Sequence, residues 1–432
     1  MIATTAGVMR TLTYRIVDQI GRVLRDHGLL TISLRPEELC EVAQFRAHLT
    51  DFGGDDFLAP LSMLVQCLEE EATLTVVGRL FIKEILIQKL INRLLLADSF
   101  RRHPEIMDVE IRAPIFITGL PRTGTTLLHR VMSQDTALRH LQMWEVWKPT
   151  PPPDPATYAT DPRRRNRPYN NSDAPGIPGI ICGLEDQLIG TEIIQKRQAA
   201  HMVGMSEPEE CQLLFMNSFT SQEFVLFFAD AIPSYAMCLL NQDLIRSYQY
   251  YRLQLQLLTW KFPGRRLILK SPMHLQSLNT LFQVFPDASV IWCHRDPRSV
   301  VPSWCKLNRI DGEIYNSVSS EGGYRLGPSV LKWLGAEADQ AMETLRILPQ
   351  EQIVHVSYRD CASDILNCVL TLRGRLGLSE HNAATEQMRA WTVRNPAHNH
   401  GVHEYKAATF GLNDEAINER FSSYRRAFAS YL

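Results

Sequence analysis

From Ile115 to Asp135 the chain reads IFITGLPRTGTTLLHRVMSQD: a short apolar run, a turn bounded by Gly119 and Gly124, then residues of helical habit. A strand that turns through glycines into a helix aims unpaired amides and the positive end of the helix dipole at one point, so it binds an anion. The glycines keep the spacing of the phosphate-cradling pattern G-x-x-x-x-G-K-[ST]. Where that pattern has its lysine, this chain has Thr125, and the cation inside the loop is Arg122. Thr125 and Thr126 add hydroxyl donors, Arg122 adds a planar charged fork, and the glycines let the turn curl into a nest.

Such a loop needs a sheet behind it. Three further apolar runs, at 266–271, 289–294 and 352–357, join 114–119 as buried strands. Continuous apolar strands separated by helical segments indicate an α/β fold, a P-loop-type parallel β-sheet flanked by helices. Ligands in such sheets bind beyond the carboxyl ends of the strands. Residues 1–110 read as a mainly helical N-terminal region and 111–432 as the main domain, with a loop and helical insertion at 148–260 and a C-terminal loop and helix at 395–432. Within 73–105 the polar Arg79, Lys83, Gln88 and Asn92 recur at helical spacing opposite Leu80, Leu86, Ile87, Leu90, Ile91 and Leu94, a pattern of core packing, and Pro104 marks the end. The Pro-rich start of the insertion reads as a long loop or lid, and its Arg163, Arg164 and Arg165 as a solvated charge cluster. The apolar 213–240 is core or the wall of an apolar pocket.

Composition confines the anion site to one place. With 45% hydrophobic residues, 21% charged residues and a net charge of −2 over 432 residues, the surface as a whole is not built for nucleic acid or an anionic membrane. The nine cysteines form no C-x-x-C pair, which favours reduced thiols in a cytoplasmic protein. Arg10, Arg15, Asp18 and Arg22 interrupt the apolar residues of the N-terminus, unlike a signal peptide, and no run of about 18 apolar residues suggests a transmembrane segment.

A second cluster, HRDPRSVVPSW, follows the third of the four strands. Arg295 at the strand end and Ser303 along the following helix can converge on one phosphate, with Arg298 an alternative ligand. The same residues also suit a plain helix start. Together, LPRTGTT and HRDPRSVVPS resemble the 5′-phosphosulfate loop and 3′-phosphate motif of sulfotransferases that use 3′-phosphoadenosine 5′-phosphosulfate (PAPS). The resemblance covers about 110–370 and is closest to the branch holding tyrosylprotein sulfotransferases and bacterial small-molecule sulfotransferases, whose loop also lacks the lysine. It implies 5′-phosphosulfate contact by Arg122, Thr123, Gly124, Thr125 and Thr126, and 3′-phosphate contact by Arg295 and Ser303. Tyr358, in VSYRD, matches a family Tyr that approaches the nucleotide, although Arg359 occupies a position often acidic in relatives.

The same resemblance implies a general base and a cation at the leaving group, with adenosine 3′,5′-bisphosphate as product and no metal. Glu145, between Trp144 and Trp147, falls where family members place a catalytic Glu, and a salt-bridging role is its alternative. Lys270 closes an apolar strand where relatives carry a Lys beside the sulfate; burying it requires an anion. His274 is the alternate base, or a helix-start histidine with a structural hydrogen bond. His398, His400, His403 and Lys406 lack the spacing of a helical metal site and read as a loop over the nucleotide. A terminal helix follows, capped by Asn413, with Ile417, Phe421, Tyr424 and Phe428 as its apolar stripe. The acceptor suggested by the apolar segments is a small hydrophobic alcohol, phenol or lipid-like molecule. A P-loop kinase would require the missing lysine and a carboxylate for magnesium; a non-catalytic nucleotide-binding protein would require neither base nor leaving-group cation.

Overall fold

In the computed structural model, residues 12–165, 204–228, 231–316, 322–378, 382–395 and 406–432 are described. Five parallel strands, β1 (Ile115–Thr118), β2 (Leu138–Arg139), β3 (Arg266–Lys270), β4 (Ser289–His294) and β5 (Ile353–Ser357), lie in the order β2-β3-β1-β4-β5. Four of them are the apolar runs read from the sequence. The two-residue β2 is too short to carry a periodic signal.

Alternation sends each strand's residues to opposite faces. Phe116, Leu267, Leu269, Val290 and Trp292 enter one large core, while Ile115, Ile117, Ile268, Ile291 and Cys293 enter a smaller one behind the sheet. Both faces are therefore covered, which is why the strands show no polar alternation. The chain leaves β1 towards β2 and β3 on one side, and β4 and β5 extend the sheet on the other. That reversal opens a crevice at the carboxyl end of β1, with β3 and β4 as its flanks.

Helices α1 (Leu12–Asp26), α2 (Pro36–Ala47), α3 (Leu58–Glu70) and α4 (Val76–Arg102) precede the sheet. Thr75 caps α4, its hydroxyl accepting from the Gly78 amide at 2.9 Å. α4 ends just before Pro104 and buries nearly its whole circumference in the large core. The polar face expected on it is therefore partly internal. Asn92 is buried, donating to the Trp147 carbonyl at 2.9 Å and Asn217 Oδ1 at 3.1 Å, and Arg79 pairs with Glu69. No helix among the described residues is long and apolar enough to cross a membrane.

The arginine cluster is also turned inward. Arg163 is buried, bridges Asp161 and the Lys148 carbonyl, and lies 4.5 Å from the centre of the Trp144 ring; Arg164 donates to Gln142. Only Arg165 is exposed. The described residues of 213–240 are largely core: Leu213, Phe215, Phe224 and Phe227 are buried in the large cluster. At the C-terminus Asn413 caps the helix Asp414–Arg420, and Ile417, Phe421, Tyr424 and Phe428 are buried as their spacing predicts. His398, His400 and His403 lie outside the described residues.

Candidate active site

The loop Leu120–Gly124 joins β1 to α5 (Thr125–Met132), and its shape follows from three left-handed residues, Gly119 at φ 144°, Arg122 at 67° and Gly124 at 88°. A Cβ on Gly119 would stand 2.3 Å from the Cys293 carbonyl oxygen of β4, and one on Gly124 would stand 2.8 Å from the Tyr358 ring. Both positions therefore exclude side chains: the first seats the loop on the sheet, and the second admits the tyrosine. The Thr123 hydroxyl closes the turn by donating to the Leu120 carbonyl at 2.7 Å. Among the described residues no side chain caps α5, whereas Thr75, Asp296, Ser357 and Asn413 cap theirs. The first amides of α5 stay available to an anion.

β4 delivers the second cluster to the same place. Arg295 Nη1 donates to the Arg122 carbonyl at 2.9 Å, and its guanidinium lies 4.1 Å from the centre of the Tyr358 ring. Arg122 Nε donates to Ser303 Oγ at 3.2 Å. Arg298 is occupied elsewhere: it folds onto Asp296, which caps the helix Pro297–Tyr315 and also pairs with Arg425. Thus Arg122, Arg295, Ser303 and Tyr358, distant in sequence, form one wall beside Gly124.

The opposite wall comes from β3. Lys270 pairs with β1 at Ile117, is 1% exposed, and reaches Thr126 Oγ1 at 3.3 Å and Glu210 Oε1 at 2.5 Å. Desolvation together with the Lys270 charge holds the buried His129 of α5 far below an ordinary histidine pKa, and hence neutral. Glu210 is the anion that makes burial of Lys270 tolerable. Sequence reasoning missed it because the acidic pair Glu209–Glu210 precedes an apolar segment and looks like a helix start; the unpaired Lys270 was the signal that a carboxylate must come from elsewhere in the chain.

Glu145 and His274 have other partners. Glu145 is fully buried at the start of the short helix α6 (Met143–Trp147), where its carboxylate accepts from the Gln142 amide at 2.8 Å, from the Tyr158 hydroxyl at 2.9 Å and from both terminal nitrogens of Arg139. Burial and the Glu145 charge push the Tyr158 phenol pKa upward, keeping it a donor. The Glu145 side chain clasps the insertion rather than joining the loop. Glu145→Gln should lower folding stability by about 1.5–3 kcal/mol, the worth of a charged hydrogen bond, in urea unfolding. A loss of turnover beyond 100-fold in the folded variant would assign Glu145 the role of base.

His274 sits among the rings of Phe116, Phe215, Tyr248 and Tyr251, with Nδ1 2.8 Å from the Tyr248 hydroxyl and Nε2 3.2 Å from Cys211 Sγ. Burial lowers its pKa to about 3. His140 falls to about 4 through burial and the charge of Arg139, and His294 to about 2 through burial and His355. Below the ordinary histidine pKa of about 6.5, the unfolded chain takes up protons that these folded histidines refuse. Stability is therefore lost as pH falls from about 6.5 towards 4, by up to about 1.4 kcal/mol per pH unit for each histidine. Urea midpoints across that range should decline; a flat profile would contradict neutral buried histidines.

The model of the sulfotransferase family matches residues 114–382. The chain belongs to the sulfotransferase family. The sulfotransferase STF1 of Mycobacterium tuberculosis H37Rv is similar in structure, with a TM-score of 0.73 and 29% identity over 90% of this chain and 98% of that one. STF9 of Mycobacterium avium shares the fold, at TM-score 0.77 and 22% identity over 91% and 96%. Among curated proteins, the omega-hydroxy-beta-dihydromenaquinone-9 sulfotransferases Stf3 of Mycobacterium bovis and Mycobacterium tuberculosis are each 26% identical over 211 residues. That alignment covers 45% of this chain and 45% of each relative, so the chain spans less than half the length of these curated relatives.

Proposed function

We propose that this sulfotransferase moves the sulfuryl group of PAPS to the hydroxyl of a small hydrophobic, lipid-like alcohol. The observation that carries the reading is the convergence of two anion-binding walls on the uncapped start of α5: Arg122, Arg295 and Ser303 on one side, Thr126 and Lys270 on the other. The donor carries two separate anionic groups, and the two walls fit them. The amides of Thr125 and Thr126, the Thr126 hydroxyl and Lys270 hold the 5′-phosphosulfate; Arg122, Arg295 and Ser303 hold the 3′-phosphate; Tyr358 packs against the nucleotide from over Gly124. Thr123 and Gly124 contribute through the shape of the turn.

The donor supplies an activated sulfuryl group whose transfer leaves adenosine 3′,5′-bisphosphate. Positioning and neutralisation are the protein's share, as in phosphoryl transfer. Lys270 lies between Thr126 and Glu210, so its ammonium offsets negative charge at the start of α5. In place of Glu145 and His274, whose hydrogen bonds are committed to the core, we assign the base to Glu210. One Glu210 oxygen holds Lys270; the other accepts the acceptor hydroxyl's proton. The lipid-like acceptor is inferred from the hydroxylated menaquinone in the name of the Stf3 relatives.

Calorimetry with adenosine 3′,5′-bisphosphate and with ATP plus magnesium tests the donor: bisphosphate should bind more tightly, and equal or tighter ATP binding would sink the reading. Labelled PAPS offered with isoprenoid alcohols, fatty alcohols, steroids, phenols and glycans tests the acceptor, the first two being the expected substrates.

A further inference from the structure

A pair of thiols lies behind the nucleotide wall. Cys361 and Cys368 place their sulfurs 2.6 Å apart, far inside van der Waals contact. Cys361 belongs to the six-residue helix Tyr358–Ser363, one turn after the tyrosine that covers Gly124; Cys368 belongs to the next helix, Ile365–Arg375. The single residue between these helices, Asp364, fixes their geometry from both sides. Its amide donates to the Asp360 carbonyl at 3.0 Å, ending one helix, and its carboxylate accepts from the Asn367 amide at 3.0 Å, starting the other. The pairing is thus imposed by a rigid corner rather than by two mobile side chains.

The two sulfurs are unequal. Cys361 is 5% exposed and sits in the smaller core with Ile117 of β1, Leu128 of α5 and Cys293 of β4, whereas Cys368 is half-buried at the edge of that core. The hydrogen bond from the Cys361 thiol lowers the Cys368 pKa, and the same contact, with burial, raises that of Cys361. Cys368 is consequently the more accessible sulfur and the one with more thiolate character, the two properties that select a cysteine for oxidation.

We propose that Cys361 and Cys368 form a self-limiting oxidation site, in which peroxide converts the pair reversibly to a disulfide. Cys368 thiolate attacks one oxygen of hydrogen peroxide; the O–O bond breaks, and the departing hydroxide takes a proton to become water, leaving a sulfenic acid. Cys361 sulfur then attacks that sulfur. The S–S bond forms, the S–O bond breaks, and the leaving hydroxide takes the Cys361 proton as a second water. Each sulfur gives one electron, two in all, to the peroxide. The approach still required is about 0.5 Å, from the present contact to a disulfide bond. Resolution by an adjacent thiol outruns further oxidation, because the second sulfur is already in place. Without Cys361, a sulfinate would form irreversibly beside the apolar core under the anion loop, where a buried charge is costly.

The full chain, reduced and then treated with a small excess of hydrogen peroxide, should lose two hydrogens in intact mass. Peptide mapping should recover one cross-link, Cys361 to Cys368, and dithiothreitol should restore both thiols. In Cys361→Ser the mass should instead rise by two oxygens, localised to Cys368 and not reversed by dithiothreitol. Wild-type chain that keeps both thiols alkylatable, links either one to Cys293 or to a second molecule, or accumulates sulfinic acid at Cys368 would overturn the proposal. Because the wild-type readout needs no variant and no nucleotide, it stands apart from the donor and acceptor assignments.

Discussion

Arg295→Ala should weaken binding of adenosine 3′,5′-bisphosphate by about 10- to 100-fold, since a hydrogen bond to a charged group contributes about 1.5–3 kcal/mol. The guanidinium is held before any ligand arrives: it stacks on Tyr358 and donates one nitrogen to the Arg122 carbonyl. That placement leaves little rotamer entropy to lose on binding, so the full contact should register in affinity. Adenosine 5′-monophosphate, which lacks the 3′-phosphate, provides the control. Its affinity should change by less than about threefold, well below one charged contact. If both ligands lose affinity equally in calorimetry, Arg295 supports the loop through Arg122 instead of reading the 3′-phosphate.

The parts of this molecule that were legible from sequence are those whose physics is local. The β1 loop declares itself because strand, glycines and helix start are contiguous; Gly119 and Gly124 combine positive φ with close approaches that leave no room for a side chain. Asn413 is legible for the same reason: a cap and an apolar stripe lie within a few turns of one another. What escaped was the choice of partners for buried charge. Glu145 and Arg139 are six residues apart, but their pairing depends on a two-residue strand and on Tyr158 arriving from the insertion. Arg163 reads as solvated until the Trp144 ring and the Lys148 carbonyl are placed beside it. Lys270 and Glu210, sixty residues apart, meet only after the insertion has folded back onto β3. A lysine at the end of a buried strand announces that it needs an anion, yet nothing local says which one answers.

That meeting underlies the expectation for Lys270→Met: turnover should fall by about 10²- to 10³-fold, the cost of removing one preorganised group from developing charge. Stability should fall as well, because the substitution leaves Glu210 facing a buried methyl group; losing one member of a buried pair costs about 3–5 kcal/mol. The two effects separate in the double variant Lys270→Met, Glu210→Gln. With both charges gone, no uncompensated ion remains in the interior, and stability should return most of the way towards wild type. Turnover should stay low, since neither the cation beside Thr126 nor the carboxylate proposed as the base has been replaced. Glu210→Gln alone isolates the second of these: product-nucleotide binding should persist while turnover with a competent acceptor is lost. Recovery of turnover in the double variant would mean that Lys270 and Glu210 serve the fold alone, and that the proton leaves by another route.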